Sequence, residues 1–172
     1  MKSLLIRNSQ IVFVSAFIIS LIFISSPCFG QVKSDSTEQV VLPEKIITAL
    51  ETKFPKAKIN KITREEEDGK IIYDIEFEQD SIKFEADFYE DGSVHNWEKE
   101  INSKDLPPEV LKVIKKKYPK YTIREVMAIT EVKGNTEILE GYEIVFKADN
   151  HEEIEVTFAP DGLILESPED SQ

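Results

Sequence analysis

The sequence contains an internal repeat, and this repeat limits the possible folds more than any other feature does. At an offset of 64 residues, segment 42–62 aligns without a gap to segment 106–126, and six of the 21 aligned pairs are identical. The identical pairs are Leu42/Leu106, Pro43/Pro107, Lys53/Lys117, Pro55/Pro119, Lys56/Lys120 and Ile59/Ile123. Farther along the chain, segments 73–77 and 88–92 return as 142–146 and 158–162. This self-similarity predicts a tandem duplication of one structural unit.

Each copy begins with a predicted helix. Pro43 and Pro107 suit the first helical position, where the missing N–H removes no hydrogen bond. Apolar residues then recur every four positions along one helical face, at Ile46, Leu50 and Phe54 and again at Val110, Ile114 and Tyr118. Pro55 and Pro119 are expected to end the helices, because the residue before a proline avoids helical backbone angles.

Predicted strands follow each helix. Segments 71–78 and 82–88 alternate apolar and polar residues, which is typical of an antiparallel sheet packed on one face and hydrated on the other. On this pattern Asp74, Glu76 and Glu78 belong to the hydrated face. The Asp-Gly pairs at 68–69, 91–92 and 161–162 predict tight hairpin turns. In the first strand of each copy the apolar spacing changes to three residues, at Ile59/Ile62 and Ile123/Val126, which predicts a bulge or bend.

These patterns predict an α+β fold made of two tandem repeats. Each repeat is one helix followed by an antiparallel meander of about four strands, with the helices packed on one face of the sheet. Repeat 1 is expected at 42–101, a linker at 102–105 and repeat 2 at 106–166. A flexible segment at 31–41 precedes them, and an acidic tail at 167–172 follows. Because a unit of about 60 residues buries only ~60% of its unfolded surface, the two repeats should support each other.

The first thirty residues have the features of a secretory signal peptide. Lys2 and Arg7 supply the positive charge, and residues 11–24 form an apolar run interrupted only by two serines. A helix of this length spans roughly 21 Å, which is too short for a hydrocarbon core of ~30 Å. Cleavage is predicted after Gly30, so the mature chain should be periplasmic or secreted, without a transmembrane anchor. A lipoprotein attached through Cys28 is disfavoured, because Pro27 directly precedes that cysteine.

Composition excludes several functional classes. The chain has 33 acidic and 21 basic residues, a net charge of −12, which argues against a nucleic-acid-binding protein. Cys28 is the only cysteine, so neither a disulfide framework nor a thiol nucleophile is expected in the mature chain. His95 and His151 belong to no paired metal motif, and no GxSxG, Walker A or GxGxxG sequence occurs. We therefore predict a non-enzymatic protein with no catalytic residues, no metal site and no cofactor.

One stretch partly follows the calcium-loop template. Its matching residues, at template positions 1, 5, 6, 7, 9 and 12, are Asp87, Asp91, Gly92, Ser93, His95 and Glu98. Tyr89 stands at position 3, where a ligand is required, and the flanking segments are predicted strands instead of helices. The stretch is better explained as a hairpin turn.

Trp97, Tyr89 and His95 are the candidate partner-binding residues. Trp97 is the only tryptophan of the chain, and its counterpart in the second copy is close to Ser167, so it is not a duplicated core position. Exposed aromatic side chains are enriched at binding hot spots. The structural alternative is that Trp97 packs at the junction between the two repeats.

Three elements together resemble the PepSY-like, beta-lactamase-inhibitor-like domain. These are the Leu-Pro helix start at 42–43, the Lys-aromatic-Pro helix end at 53–55 and the aromatic-x₂-Asp-Gly hairpin at 88–92, and each recurs, at 106–107, 117–119 and 158–162. The resemblance covers roughly residues 42 to 166. It implies an exported, non-enzymatic domain of helix-plus-antiparallel-sheet units, and inhibition or binding of another exported protein.

The resulting functional hypothesis is an exported protein-binding module, acting by surface complementarity as an inhibitor or ligand of another envelope or secreted protein of unknown identity. The alternative is an envelope sensor of a small ligand or of a cation such as calcium, using the acidic face of the sheet. The sequence leaves both the partner and the oligomeric state open.

Overall fold

The structure, a computed structural model, describes residues 40–67, 69–148 and 152–168. The predicted signal peptide, Asp68 and His151 lie outside the described residues. The helices are α1 (Glu44–Lys53) and α2 (Pro108–Lys117), with a short 3₁₀ turn at Ser103–Asp105. The strands are β1 (Lys58–Glu67), β2 (Lys70–Gln79), β3 (Ile82–Tyr89), β4 (Val94–Glu100), β5 (Tyr121–Lys133), β6 (Thr136–Ala148), β7 (Glu153–Phe158) and β8 (Ile164–Glu166).

The strands form one antiparallel sheet of eight, in which each strand pairs with its neighbour in sequence. The predicted α+β class with an antiparallel meander is therefore confirmed. The sequence left open whether the strands that follow the two helices join, and the pairing of β4 with β5 joins them. In this pairing Trp97 lies opposite Thr130, and Glu98 lies opposite Ile129.

The helix boundaries follow from prolines at both ends. Pro43 and Pro107 lie one residue before the helix, not at the first helical position as predicted, because their ψ angles of 144° and 145° are extended. The Pro43 carbonyl still accepts hydrogen bonds from the first turn of α1. Both helices end at the lysine two residues before the second proline, as predicted.

The buried apolar side chains form two hydrophobic clusters. One joins α1 to β2 and β3, and the other joins α2 to β5, β6 and β7. In each cluster the aromatic residue that follows the helix lies against rings of the sheet. The Phe54 ring is 4.8 Å from that of Phe77, and the Tyr118 ring is 4.9 Å from that of Phe146. The aromatic residue that is repeated after each helix thus packs that helix against the sheet.

The irregular spacing in the first strand of each half produces a bulge, as predicted. The register of β1 shifts between Ile59 and Lys61, and that of β5 shifts between Ile123 and Glu125. Each bulge accommodates the three-residue apolar spacing within a two-residue pleat.

Two turn glycines lie directly against the start of a helix. Gly92 has φ = 85°, and a Cβ placed there would be 2.8 Å from the Lys45 carbonyl oxygen. Gly162 has φ = 88°, and its Cβ would be 3.0 Å from the Glu109 carbonyl oxygen. Both turns therefore require glycine for two reasons, the left-handed backbone and the close approach of the helix.

We expect Gly92→Ala to destabilise the fold more than Gly69→Ala does. Both residues have positive φ, so alanine at either costs about 1–2 kcal/mol of backbone strain. Only Gly92 also has a backbone neighbour in the way, whereas a Cβ at Gly69 meets nothing within 4 Å. Urea denaturation should give a loss about twice as large for Gly92→Ala. Equal losses would contradict the close packing of this turn on α1.

Candidate functional site

Carboxyl side chains line the face of the sheet that is turned away from the two hydrophobic clusters, here called the open face. Residues that alternate with the cluster residues of each strand project there. Cross-strand register brings Asp74 opposite Asp87, and Glu85 opposite both Glu76 and Glu98. We call the following carboxyl residues the acidic row: Asp74, Glu76, Glu85, Asp87, Glu98, Glu143 and Glu155.

Neighbouring acids in the row share hydrogen bonds. Glu85 donates a carboxyl hydrogen bond to Asp74, and Glu143 donates one to Glu155. The Asn96 side-chain amide donates to Asp87 at 2.9 Å. A hydrogen bond between two carboxyl groups needs a proton on one of them, so these contacts raise the pKa of the donors Glu85 and Glu143.

Burial raises the pKa of four carboxyl groups in the row. Loss of hydration is the main cause for each, and the negative charge of neighbouring acids adds to it. The pKa of Asp74 rises to about 6, with Asp87 making the largest contribution among its charged neighbours, and that of Glu85 rises to about 7 beside Asp74. The pKa of Glu98 rises to about 8 beside Glu85, and that of Glu143 to about 10 beside Glu98. Lys61 offsets part of the rise in the pKa of Asp74, and Lys83 offsets part of the rise in the pKa of Glu85, but burial and acidic neighbours outweigh both cations.

The lysines of the open face pair with acids near the margins of the row. Lys61 Nζ is 2.8 Å from Glu76, and Lys83 Nζ is 2.6 Å from Glu125. In the described part of the chain, no ion pair reaches Glu98 or Glu143 at the centre. The negative charge at the centre of the row is therefore not neutralised by an ion pair within the described residues.

Two apolar side chains lie between the central acids. Met127 and Ile129 of β5 are only 2% and 5% exposed, yet they belong to neither hydrophobic cluster. Ile129 lies opposite Glu98 in the sheet, and Met127 lies opposite Glu143. These two buried side chains, here called the apolar floor, therefore lie beneath the surface between the two most strongly perturbed carboxyls.

The prediction that Asp74, Glu76 and Glu78 form a hydrated face is wrong for Asp74. Its Oδ1 atom is buried and has no hydrogen-bond partner among the described residues. Glu78 is exposed, as expected. The difference arises because Asp74 lies beside Asp87 and near Glu85, whereas Glu78 lies toward the end of its strand.

The residues that follow the calcium-loop template form the β3–β4 hairpin. Asp91 accepts hydrogen bonds from the backbone N–H and the hydroxyl of Ser93, so it stabilises the turn. Asp87 and Glu98 belong to the acidic row instead. Across residues 40–67, 69–148 and 152–168, no three Asp, Glu, His or Cys side chains are arranged to hold a metal ion.

The three predicted partner-binding residues lie at two places. Tyr89 and His95 are neighbours near the β3–β4 turn, with ring centroids 5.2 Å apart, and Lys70 Nζ is 5.2 Å from the Tyr89 ring. Trp97 lies on the cluster side of the sheet, apart from this pair. Partner binding by these residues stays a prediction.

Trp97 lies where the two halves of the sheet meet. Its ring centroid is 6.0 Å from that of Phe54 and 6.4 Å from that of Phe84, and Lys53 Nζ lies 5.3 Å from the indole ring. The same lysine forms an ion pair with Glu137 of β6. Trp97 therefore contributes to the packing between α1 and the sheet.

The PepSY-like family, described as "Putative beta-lactamase-inhibitor-like, PepSY-like", matches residues 31–95 and again residues 71–166. The chain belongs to this family. The resemblance based on the helix ends and the Asp-Gly hairpins is thereby confirmed. No curated protein matches the sequence.

Solved structures from Bacteroides share the fold of this PepSY-like protein. A BLIP-like protein from Bacteroides fragilis is 20% identical, with a TM-score of 0.53, over 77% of this chain and 89% of that chain. A protein from Bacteroides eggerthii, described as "putative periplasmic", is 15% identical, with a TM-score of 0.57, over 74% and 88% of the two chains. A DUF2874 family protein from Bacteroides uniformis is 15% identical, with a TM-score of 0.56, over 73% and 88%.

Neither α1 nor α2 has the length and apolarity needed to cross a membrane, and the described residues contain no other helix that does.

We expect the folded protein to lose stability as pH rises from 5 to 9. Below about pH 4.5 the acidic row is protonated in both the folded and the unfolded chain, so it costs the folded state nothing. As pH rises through the folded-state pKa values of about 6 to 10, ionisation increasingly favours unfolding. Glu98→Gln should therefore raise stability at pH 9 by about 1–2 kcal/mol and change it little at pH 5.

Glu78→Gln is the matched control, because it makes the same chemical change at an exposed position of the open face. Thermal melts of the three proteins between pH 5 and pH 9 provide the measurement. A melting temperature that is independent of pH, or equal effects of the two substitutions, would contradict the burial of uncompensated acids in the row.

We expect Trp97→Ala to destabilise the protein by about 2–3 kcal/mol, because it leaves a cavity beside Phe54 and Phe84. Trp97→Phe keeps an aromatic ring there and should lose less than half as much. Urea denaturation of both variants measures the difference. If Trp97→Ala were as stable as the parent, the contacts of the indole with α1 and β3 would contribute little to folding.

Proposed function

We propose that this chain is an exported, non-enzymatic module that binds another envelope or secreted protein through the open face of its sheet. The observation that carries the proposal is the pair of central acids, Glu98 and Glu143, which no ion pair of the described chain reaches. Partly buried acids of this kind are costly for a free protein, and a partner that supplies positive charge or hydrogen-bond donors there would relieve the cost. Binding by shape and charge complementarity needs no catalytic group.

Family membership supports a binding role. The family description names an inhibitor-like architecture, and the similar protein from Bacteroides fragilis is called BLIP-like. These names are properties of the relatives, and the shared fold alone does not transfer an activity. We infer that this chain acts as an inhibitor when the protein it binds is an enzyme.

We also propose the export route and the repeat architecture. The predicted signal peptide at 1–30 agrees with the "putative periplasmic" description of the Bacteroides eggerthii protein. The element order supports a tandem duplication with repeats at 42–101 and 106–166. A helix and four strands are followed by a second helix and four strands. The two helices would then cover one face of the sheet, opposite to the face that carries the acidic row.

Tyr89 and His95 are proposed to extend the binding surface at one end of the open face, where the paired rings adjoin the β3–β4 turn. We propose that Trp97 affects binding only indirectly, because it packs α1 against the sheet whose opposite face binds the partner. The Trp97→Phe variant tests this role, because it preserves the fold better than alanine does.

The second candidate function is a sensor of calcium or another small cationic ligand. Mutual repulsion within the acidic row favours it, because a bound cation would relieve that repulsion. Since the described residues offer no three-ligand cation site, we place protein binding first. A rise in melting temperature with millimolar calcium would indicate binding to the folded state.

Capture of a partner tests the proposed function. The protein is immobilised and exposed to envelope and secreted extract of the producing bacterium, and retained proteins are identified by mass spectrometry. Two variants form a matched pair: Glu85→Trp places a large side chain in the acidic row, and Lys112→Trp places one on the solvent side of α2, where the lysine is 81% exposed. Both should remain folded by circular dichroism.

We expect one protein to be retained in stoichiometric amount by the parent and by Lys112→Trp, and to be lost from Glu85→Trp. Retention by all three proteins would place the binding surface elsewhere. If nothing is retained at low or moderate salt, the protein-binding proposal fails and the calcium melt becomes decisive. If the retained protein is an enzyme, its activity in the presence of the parent and of Glu85→Trp tests inhibition.

A further inference from the structure

The outer side of β1 is an unpaired edge of the sheet. β1 pairs with β2 on one side, and it is the first strand in the order of the sheet, so no strand of the described residues pairs with its other side. The opposite edge is β8, which has only three residues, whereas β1 has ten residues and no proline. A long edge strand of this kind presents backbone N–H and C=O groups with which a further strand can pair.

The charges along β1 change sign from one end to the other. Basic residues come first, at positions 58, 61 and 64, and the last three positions are all glutamate. Charges of one sign would protect this edge from self-pairing, because like charges would face each other across two copies. The order of charge on β1 has the opposite effect, since antiparallel pairing of two copies brings the basic half of each strand to the acidic half of the other.

Backbone geometry restricts such self-pairing to a few registers. In an antiparallel pair, two facing residues either both point their N–H and C=O groups toward the partner strand or both point them away. When a strand pairs with a copy of itself, facing residues are therefore an even number of positions apart, and the residue on the two-fold axis faces its own copy. The bulge between Ile59 and Lys61 limits the regular part of β1 to residues 61–67.

The register centred on Thr63 agrees best with the side-chain chemistry. Lys61 of each copy then faces Glu65 of the other, and Ile62 faces Arg64, whose methylene stem can cover it. Thr63 faces its own copy, which is a favourable cross-strand pair. A register centred on Ile62 would run into the bulge after one residue on either side. A register centred on Arg64 or Glu65 would bring two like charges together.

The side chains that this contact needs are accessible. Lys61 and Glu65 are exposed, and Thr63 is half-buried. Lys61 Nζ is 2.8 Å from Glu76 on the open face, while the lysine side chain is 47% exposed. An ammonium group has three donors, so this lysine can bind Glu76 of its own chain and Glu65 of a second copy together.

We propose that two copies of this chain associate through antiparallel pairing of their β1 strands, with the two-fold axis at Thr63. The charge complementarity of Lys61 and Glu65 identifies a second copy as the occupant of this edge. The sheet then continues from one copy into the other, and both open faces lie on the same side, because the axis is perpendicular to the sheet. This contact uses the edge of the sheet, so it does not depend on what the open face binds.

Charge reversals at the two facing positions test the contact. Lys61→Glu and Glu65→Lys each place like charges opposite each other in a pair of identical copies. A one-to-one mixture restores both ion pairs, since one copy then supplies only acids at these positions and the other only lysines. Lys112→Glu is the control, because it makes the same chemical change on α2, where the side chain is 81% exposed. Sedimentation velocity over a range of protein concentrations gives the dimer dissociation constant of each sample.

We expect the parent to dimerise reversibly and each single reversal to raise the dissociation constant at least about tenfold. The mixture should return to within about threefold of the parent, and Lys112→Glu should stay within about twofold. Circular dichroism checks that each variant is folded. A parent that stays monomeric at millimolar concentration, a dimer that neither reversal weakens, or a mixture that does not recover would overturn the inference.

A cysteine at the two-fold axis provides a measurement that does not depend on these charges. Facing residues of an antiparallel pair have Cα atoms about 4.5–5.5 Å apart, a distance that a disulfide can bridge. Cys28, the only cysteine of the sequence, lies in the predicted signal peptide, so the exported Thr63→Cys chain carries a single thiol. Under mild oxidation it should form a covalent dimer at least about tenfold faster than Lys112→Cys does. Equal rates would indicate random collision, and the proposed contact would be wrong.

Discussion

The pairing of β4 with β5 is the contact on which the rest of the structure depends. Each half of the chain is a helix and four strands, too small to bury a large core alone. Hydrogen bonding between the two middle strands makes one sheet of eight and removes two exposed strand edges. The same pairing places Glu98 opposite Ile129, and so joins the acids of the first half to the apolar floor of the second.

Joining the two halves raises the pKa of acids at the centre of the acidic row. An isolated four-stranded half would carry Glu98 on an edge strand, without Ile129 beside it. In the continuous sheet, Glu98 and Glu143 lie near the centre and are screened from water by neighbours on several strands, which explains their raised pKa values of about 8 and 10. The fold tolerates this because the two hydrophobic clusters, with rings such as Phe77 and Phe146 fully buried, provide stability elsewhere.

Local features of the fold could be predicted from the sequence, because neighbouring residues determine them. Proline positions give the helix ends, the three-residue spacing at Ile59 and Ile62 gives the bulge, and Asp-Gly pairs give turns with positive φ. The centre of the open face could not be predicted in this way, since it depends on which residue of β5 pairs with Glu98. One signal was available: the run Val126–Ile129 is apolar without alternation, which indicates burial on both faces of a strand.

The proposed binding surface and the core lie on opposite faces of the same strands, and this separates their energetic roles. A change at Phe54 or Trp97 acts on the packing of α1 and lowers stability. A neutral substitution at Glu98 removes a repulsive, partly buried charge and should raise stability. Natural proteins are rarely at their stability optimum, so the fold can carry this acid, and the proposed binding function gives it a use. The acidic row is therefore the part of the molecule where the proposed function and stability oppose each other.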